Sequence, residues 1–187
     1  MAHIGVLALQ GDYEKHARSL TRAGAQVSEV RTAAELAAVD GLVIPGGEST
    51  TMLKLLDREA MFEPLREFGA RKPIFGTCAG AILMAAKVEN PEQPSLGLVD
   101  ITVRRNGYGR QLDSRVARID CEAFGELEAV FIRAPIIHSA GPGVRVLASY
   151  DGDPVLVEEG RHLLATFHPE LSVDDRVHAY FLRKVAG

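Results

Sequence analysis

The stretch Pro73-Ile74-Phe75-Gly76-Thr77-Cys78-Ala79-Gly80 decides the fold of this chain. Its first half is a short apolar run that predicts a strand buried on both faces, and a helical pattern follows from Ala81 to Lys87. The Gly-x-Cys-x-Gly sequence between them has the form of a nucleophile elbow, a sharp strand-to-helix turn. Its glycines remove Cβ atoms that would clash in such a turn. The helix would direct its N–H groups and positive dipole end at the sulfur, which favours the nucleophilic thiolate. The alternative is a buried structural cysteine.

Strands and helices alternate from this stretch back to the N-terminus. Buried apolar runs predict strands, and amphipathic segments closed by glycine or opened by Ser-Thr-Thr predict helices. The predicted strands are 4–9, 26–30 and 41–44, and the predicted helices are 13–23, 33–38 and 49–57, with Pro64 in the first turn of another. This alternation predicts an α/β fold with a doubly wound, mostly parallel sheet.

The pattern of predicted elements changes from Leu96 onward. Short β-rich segments separated by turns predict hairpins and an antiparallel extension of the sheet. These segments are 101–104, 116–119, 144–149, 155–158 and 162–167, and a closing helix is predicted over 173–185. No linker or internal repeat interrupts the 187 residues, so we expect one domain, 1–187.

The bulk composition argues against several classes of function. A hydrophobic share of 47% and a charged share of 25% are typical of a soluble globular protein. The net charge of -4 gives no sign of a basic surface that would bind nucleic acid. The apolar runs are far shorter than the ~20 residues needed to span a bilayer. No histidine pair or Cys-x-x-Cys suggests zinc. Two cysteines and an N-terminus without signal-peptide features suit the cytoplasm. We therefore expect no metal, cofactor, nucleic acid or membrane partner.

A second chemical motif is Thr166-Phe167-His168-Pro169-Glu170. In an extended segment, residues two apart point to the same side, so His168 and Glu170 could lie together. A carboxylate beside a histidine fixes its tautomer and stabilises the imidazolium that forms when the ring takes a proton. The alternative is a surface histidine in a turn. The elbow makes this alternative less favoured, because it supplies the nucleophile that a catalytic histidine would serve.

A third motif, Pro45-Gly46-Gly47-Glu48-Ser49-Thr50-Thr51, follows a predicted strand. Ligands in open α/β sheets bind at such carboxyl ends. Consecutive glycines let backbone N–H groups approach a substrate oxygen, so this loop could form an oxyanion hole together with the N–H of Ala79. The alternatives are a simple turn or a phosphate loop, but the Gly-Lys-Ser/Thr ending of a P-loop is missing.

The remaining candidates carry weaker signals. Cys121 lies among acidic residues without an elbow, so we interpret it as structural. His3 and His138 have no motif around them. Arginines such as Arg105 and Arg133 are usually solvated at a surface, but in a cleft either could hold a substrate carboxylate through paired hydrogen bonds.

Taken together, these motifs resemble the class I glutamine amidotransferases, and within them the glutaminase subunits of pyridoxal 5′-phosphate synthase. The resemblance extends over nearly the whole chain. The segments that carry it are Leu9-Gln10-Gly11, 45–51, Phe75-Gly76-Thr77-Cys78-Ala79-Gly80, Arg105-Asn106, Gly109-Arg110-Gln111, Phe131-Ile132-Arg133-Ala134-Pro135 and Phe167-His168-Pro169-Glu170.

The resemblance implies a flavodoxin-like fold with a catalytic triad. It makes Cys78 the nucleophile, His168 the general base and acid, and Glu170 the partner that orients His168. The implied reaction is hydrolysis of L-glutamine to L-glutamate and ammonia. The ammonia would pass to a separate synthase subunit that builds vitamin B6.

The resemblance also implies which residues surround the substrate. Those at the oxyanion are Gly46, Gly47 and Ala79. Those around the amino-acid end of glutamine are Glu48, Ser49, Arg105, Ile132 and Arg133. Gln10 would lie near the site and near the interface with the synthase subunit.

Three other interpretations remain open at the level of sequence. The chain could be the glutaminase subunit of another pathway, such as imidazole glycerol phosphate synthase. It could instead be a cysteine hydrolase or peptidase on the same fold. The third alternative is a binding module without catalytic activity, and the presence of all three triad residues argues against it.

Overall fold

A computed structural model describes residues 1–106 and 114–187 of the chain. The resemblance segment Gly109-Arg110-Gln111 lies outside the described residues. The strands are β1 (His3–Leu7), β2 (Gln26–Val30), β3 (Gly41–Ile44), β4 (Ile74–Thr77), β5 (Ala85–Glu89), β6 (Val99–Arg104), β7 (Ser114–Cys121), β8 (Gly125–Ile132), β9 (Ile136–Ala140), β10 (Arg145–Tyr150), β11 (Asp153–Glu159) and β12 (His162–Ala165). The helices are α1 (Tyr13–Arg22), α2 (Ala33–Ala37), α3 (Ser49–Arg58), α4 (Phe62–Gly69), α5 (Ala79–Met84) and α6 (Arg176–Ala186), with a short 3-10 helix at Pro169–Leu171.

The main sheet has the strand order β10-β11-β12-β4-β3-β1-β2. Strands β1 to β4 and β12 pair in parallel, whereas β11 and β10 continue the sheet with antiparallel pairing. The sheet order and pairing confirm the predicted α/β fold with a mostly parallel sheet and an antiparallel extension. Because β3, β4 and β12 are neighbours and run in parallel, the loops that follow them emerge at one edge of the sheet.

Both faces of the main sheet are covered. Within β3, Leu42 and Ile44 belong to one core cluster and Val43 to another, as the alternation of side chains along a strand requires. Helices α3, α4 and α5 contribute to the first cluster, while α1, α6 and the β7–β8 hairpin contribute to the second. A strand buried on both faces explains why β3 and β4 read as continuous apolar runs.

The predicted helix from Ala81 to Lys87 is wrong at its C-terminal half. Helix α5 ends at Met84, and Ala85 is already extended, with φ -63° and ψ 153°. Strand β5 then pairs in parallel with β6, which places Lys87 opposite Thr102. The hydrogen bonds to this distant strand override the helix propensity of the Ala-Ala-Lys segment.

Other details also differ from the sequence prediction. The closing helix begins at Arg176 and not at Val173, because Asp174 accepts hydrogen bonds from the backbone N–H and the guanidinium of Arg176. Strands β8 and β9 were not predicted as separate elements. β8 pairs with β7, and β9 pairs with β6, in two small sheets.

Within residues 1–106 and 114–187, no helix combines the length and the apolar character needed to cross a membrane.

Candidate active site

Cys78 lies at the sharp turn between β4 and α5, in a strained backbone conformation with φ 52° and ψ -106°. Its backbone N–H donates to the carbonyl of Ala165 at 2.9 Å, and its carbonyl accepts from Ile82 at 3.1 Å. Both hydrogen bonds hold the turn, so the surrounding fold maintains a conformation that a non-glycine residue adopts only at a cost. The sequence prediction of a strained elbow is confirmed.

The two glycines of the elbow leave room for close backbone packing. A Cβ on Gly76 would lie 2.6 Å from the carbonyl oxygen of Gly80 and from the sulfur of Met84. A Cβ on Gly80 would collide with the carbonyl oxygen of Ile44 at the end of β3. Helix α5 can therefore approach β3 and β4 only with glycine at these positions.

His168 and Glu170 lie just beyond β12 and contact each other directly. Nδ1 of His168 is 2.9 Å from Oε2 of Glu170, and both residues are buried. The pairing was predicted from side-chain alternation in an extended segment, but the cause is different. Pro169 starts a 3-10 helix, and this tight turn brings Glu170 back toward the imidazole.

The charge balance around His168 favours its protonated form. Burial opposes the imidazolium, but interactions with Cys78 and Glu170 outweigh it and raise the pKa of His168 to about 10. An opposite charge or an acceptor that binds the charged form has this effect. The geometry therefore suits an imidazolium held between a sulfur and a carboxylate.

Gly46 packs against both Cys78 and His168. A Cβ on Gly46 would lie 2.7 Å from Cε1 of His168 and 3.3 Å from the Cβ of Cys78. The Cys78 thiol also lies 3.8 Å from the carbonyl oxygen of Ile132, to which it can donate. The structure thus brings Gly46, Ile132 and the triad together around the sulfur, and Ala79 follows as the first residue of α5.

Gln10 holds the loop that contains Gly46 and Gly47. Its Oε1 accepts from the backbone N–H of Glu48 at 3.2 Å, and its Nε2 donates to the carbonyl of Gly46 at 3.5 Å. Gly47 has φ 134°, a backbone conformation open to glycine, and a Cβ there would collide with the Gln10 amide. Gln10 therefore contacts the glycine loop, and its place near an interface with the synthase subunit stays a prediction.

Glu48 caps α3. Its carboxylate accepts from the backbone N–H of Thr50 at 3.1 Å and of Thr51 at 2.6 Å. Burial would raise the pKa of Glu48, but the hydrogen bonds from Thr51 and Thr50 outweigh it and lower the pKa to about 2. Arg105 donates to Oγ1 of Thr50 at 2.8 Å and lies 3.5 Å from Glu48. The side chains of Glu48, Thr50 and Arg105 form a polar cluster at the first turn of α3.

Ser49 begins α3, and Arg133 directly follows β8. The buried hydroxyl of Ser49 is 3.2 Å from Oε1 of Gln93, a residue that the sequence did not single out. Arg133 follows β8 with φ 45°, another conformation that non-glycine residues rarely adopt. Arg133 is exposed.

Two buried histidines near the triad escaped the sequence analysis. His16 on α1 and His178 on α6 are fully buried, and Nδ1 of His16 is 2.8 Å from Nε2 of His178. Nε2 of His16 is 3.1 Å from Oγ1 of Thr77 and 3.6 Å from Oε1 of Glu170. One signal was present, since His16 and Leu20 are one helical turn apart on the buried face of α1, a position that favours apolar residues.

Cys121, His3 and His138 lie on β7, β1 and β9, strands that carry no triad residue. Cys121 is a free, buried cysteine in the second core cluster. His3 contacts Ser28 at 2.8 Å, and His138 is exposed on β9. In the described part of the chain, no cluster of three or more His, Cys, Asp or Glu side chains is arranged to hold a metal ion.

Comparison with known proteins places these residues in a family context. The model of the SNO glutamine amidotransferase family matches residues 6–187. A pyridoxal 5′-phosphate synthase subunit PdxT from Solibacter usitatus is 61% identical, covering 99% of this chain and 100% of the relative. A PdxT subunit from Koribacter versatilis is 57% identical, covering 97% of this chain and 95% of the relative.

Solved structures agree with the fold. A crystal structure described as a glutamine amidotransferase is 43% identical and has a TM-score of 0.93, covering 98% of this chain and 99% of that chain. A structure of PurLQS from Thermotoga maritima has a TM-score of 0.68 at 20% identity, covering 100% of this chain and 96% of that chain. At that identity the second likeness speaks for the fold alone.

Proposed function

This chain belongs to the SNO glutamine amidotransferase family, and we propose that it is the glutaminase subunit of a pyridoxal 5′-phosphate synthase. It hydrolyses L-glutamine to L-glutamate and ammonia. The observation that carries the proposal is the buried arrangement of Cys78 on a strained elbow with the hydrogen-bonded pair His168 and Glu170 beside it. A nucleophile that contacts a base, which is in turn oriented by a carboxylate, is the arrangement that performs acyl transfer.

In the first half of the reaction, the Cys78 thiolate attacks the side-chain carboxamide carbon of glutamine. The C–N bond then breaks as the His168 imidazolium gives its proton to the departing nitrogen, which leaves as ammonia. The product on the enzyme is a γ-glutamyl thioester. The raised pKa of His168 supports this assignment, because the ring carries the required proton at neutral pH.

In the second half, neutral His168 takes a proton from water, and the hydroxide attacks the thioester carbonyl. The C–S bond breaks and releases glutamate, and the thiolate and imidazolium are restored. Glu170 stabilises the imidazolium through the 2.9 Å contact in both halves. The negative oxygen of each tetrahedral intermediate would bind backbone N–H groups of Gly46, Gly47 and Ala79. One such donor typically contributes about 3 kcal/mol.

The amino-acid end of glutamine would bind beside α3. We assign this role to Glu48, Ser49, Arg105, Ile132 and Arg133. The contacts among Glu48, Thr50 and Arg105 support the assignment, because they keep a guanidinium beside the glycine loop. A guanidinium can bind the substrate carboxylate through paired hydrogen bonds.

The ammonia would pass to a synthase subunit without mixing with solvent, since protonation destroys its nucleophilicity. Gln10 would lie near the interface with that subunit. We expect the isolated chain to be a weak glutaminase, because the Gly46-Gly47 peptide can adopt orientations that do not serve the oxyanion. We also propose that residues 1–187 act as one glutaminase domain in the cytoplasm, where free cysteines such as Cys78 and Cys121 persist.

Glutamate release from glutamine by the purified chain tests this function. The assay compares the chain alone, the chain with its synthase subunit, and a Cys78→Ala variant with the synthase subunit. We expect activity that rises with the synthase and disappears in the variant. Activity that persists without Cys78, or no activity under either condition, would reject the amidotransferase function.

The same assay separates the alternative interpretations. A glutaminase of another pathway would respond to a different synthase, and PdxT relatives at 61% and 57% identity argue against that. A peptidase would form its thioester with peptides and not with glutamine. Glutamine hydrolysis that is as fast without the synthase as with it would contradict the expected activation.

A further inference from the structure

His16 and His178 form a buried pair directly behind the triad. Each ring has no exposed surface, and the two nitrogens that face each other are 2.8 Å apart. The rings pack in an aromatic cluster, with centroid distances to Phe75 of 6.4 Å for His16 and 5.8 Å for His178. Apolar side chains would fill such a place at lower cost, since a buried polar group is unfavourable unless it is hydrogen-bonded. The pair therefore calls for a role beyond packing.

The contacts determine where the protons of the pair lie. Burial first, then the charges of His178 and His168, lower the pKa of His16 well below 6.5. Burial also lowers the pKa of His178, to about 4, so both rings are neutral and each carries one N–H. One N–H must bridge Nδ1 of His16 and Nε2 of His178.

Only one tautomer of His178 avoids a buried N–H group without a hydrogen-bond acceptor. Nδ1 of His178 is buried and has no hydrogen-bond partner among the residues that the structure describes. If His178 carried its proton there, the N–H would lose its hydrogen bond to water without replacement. His178 therefore donates from Nε2 to Nδ1 of His16, and His16 carries its own proton on Nε2.

This proton faces the triad. Nε2 of His16 lies 3.1 Å from Oγ1 of Thr77 and 3.6 Å from Oε1 of Glu170. The other carboxylate oxygen, Oε2, is the one that contacts His168 at 2.9 Å. Oε1 is buried and makes no hydrogen bond within residues 1–106 and 114–187. The N–H of His16 donates to Thr77 and faces Oε1 from 3.6 Å, so its dipole is attracted to the carboxylate.

We propose that His16 is a positioning residue for the triad, with the N–H at its Nε2 facing Oε1 of Glu170, and that His178 fixes the tautomer of His16 for this purpose. The proposal rests on the proposed function of the triad. It extends the chain of contacts from Cys78 through His168 and Glu170 to His16 and His178. Oε2 of Glu170 contacts His168 and Oε1 faces the N–H of His16, so attraction between the carboxylate and this N–H disfavours rotation of Glu170 away from His168.

The charged groups around the pair fit this role. His16 faces His178 on α6 and His168 beyond β12, and Glu170 lies at its Nε2. On the far side, His178 has Asp175 and Arg22 as its charged neighbours, and these two pair with each other at 2.7 Å. Their charges act on the pKa of His178 in opposite directions, since Asp175 raises it and Arg22 lowers it. Glu170 is the carboxylate that the N–H of His16 faces.

The test compares His16→Leu with His16→Gln in complex with the synthase subunit. Leucine keeps the volume and removes the donor, whereas the glutamine amide nitrogen can reach the place of Nε2. For His16→Leu we expect kcat to fall about tenfold, with KM for glutamine changed less than about twofold, because the residue acts on the triad and not on substrate. We also expect the alkaline limb of the kcat/KM profile to move to lower pH, since a misaligned Glu170 stabilises the imidazolium less. His16→Gln should recover most of both effects.

Control variants separate this role from structural support. His162→Gln removes another buried histidine, at the start of β12, and should leave the pH profile in place. If His16→Leu does not fold, His178→Gln, which keeps a donor, is compared with His178→Leu in the same way. A folded His16→Leu protein with an unmoved alkaline limb, or a glutamine variant as impaired as the leucine variant, would overturn the proposal. Wild-type activity and the Cys78→Ala control in the same assay show whether the glutaminase function itself holds.

Discussion

The Cα of Gly46 faces the imidazole of His168 so closely that a single added methyl group would meet the ring. A Cβ at this position would lie 2.7 Å from Cε1 of His168, a distance that Cβ atoms do not tolerate. The same Cβ would lie 3.3 Å from the Cβ of Cys78. Residue 46 therefore sets the space between the nucleophile and its base, in addition to any role of its backbone at the oxyanion.

We predict that Gly46→Ala lowers kcat on the order of 100-fold, because misplacement of a catalytic group by about 1 Å can have an effect of this size. The fold should persist, since the clash is confined to the site. Steady-state glutamine hydrolysis with the synthase subunit measures the effect, and thermal unfolding measures stability. Gly143→Ala is the control, since its Cβ would meet only the flexible carboxylate of Glu159 at 2.8 Å. A Gly46→Ala enzyme with wild-type kcat would show that His168 has room to move.

A second prediction concerns the charge of Glu170. Glu170→Gln keeps the shape of the side chain but removes the negative charge that helps to raise the pKa of His168 to about 10. We expect kcat to fall by about 100-fold or more, since an uncharged partner stabilises the imidazolium poorly. The alkaline limb of kcat/KM should move to lower pH, because the pKa of His168 falls.

Glu158→Gln is the matched control for this change. Glu158 is a buried carboxylate that contacts Lys184 and Tyr180, each at 2.8 Å, on the antiparallel side of the main sheet. Glu158→Gln should lower the free energy of unfolding without moving the alkaline limb of the kcat/KM profile. If Glu170→Gln kept the wild-type pH profile, the contribution of its charge to His168 would be refuted.

A third prediction separates two roles of Glu48. As the cap of α3, Glu48 accepts from two backbone N–H groups, and its replacement by alanine should cost about 1 kcal/mol of stability. If it also aligns Arg105 for glutamine, Glu48→Ala should raise KM for glutamine several-fold. Thr32→Ala removes the cap of α2, which accepts from Glu35 at 3.2 Å, and should change stability alone. A Glu48→Ala variant with normal KM would limit Glu48 to capping.

The sequence predicts elements whose cause is local. The apolar run before Cys78, its glycines and the following helix lie within a dozen residues, so their pattern is sufficient for strand, turn and the start of α5. Strand β5 was missed because its partner β6 decides its conformation, and no local pattern records that pairing.

The same distinction applies to the site. His168 and Glu170 are two residues apart and could be paired from sequence, although the 3-10 turn that joins them could not be predicted. His16 and His178 are separated by 162 residues and meet only because α1 and α6 pack on the same face of the sheet. A contact of this kind depends on the tertiary structure, so the sequence offers only a polar residue at a buried helical position.

The last prediction concerns stability in acid. Burial, as the main cause, lowers the pKa of His162 from 6.5 to about 4, and its Nδ1 accepts from the backbone N–H of Ile74 at 3.1 Å. The neutral ring therefore stabilises the fold fully above pH 6.5, and this contribution is lost as the pH falls toward 4, where the unfolded chain binds a proton that the folded protein excludes. His162→Gln should make the fall in unfolding free energy between pH 6.5 and 4 less steep, by up to about 1.4 kcal/mol per pH unit. Urea unfolding at several pH values measures the slope, with His138→Gln as the control because that ring is exposed. An equally steep fall in His162→Gln would mean that other groups cause the acid sensitivity, with the buried His16–His178 pair as the next to test.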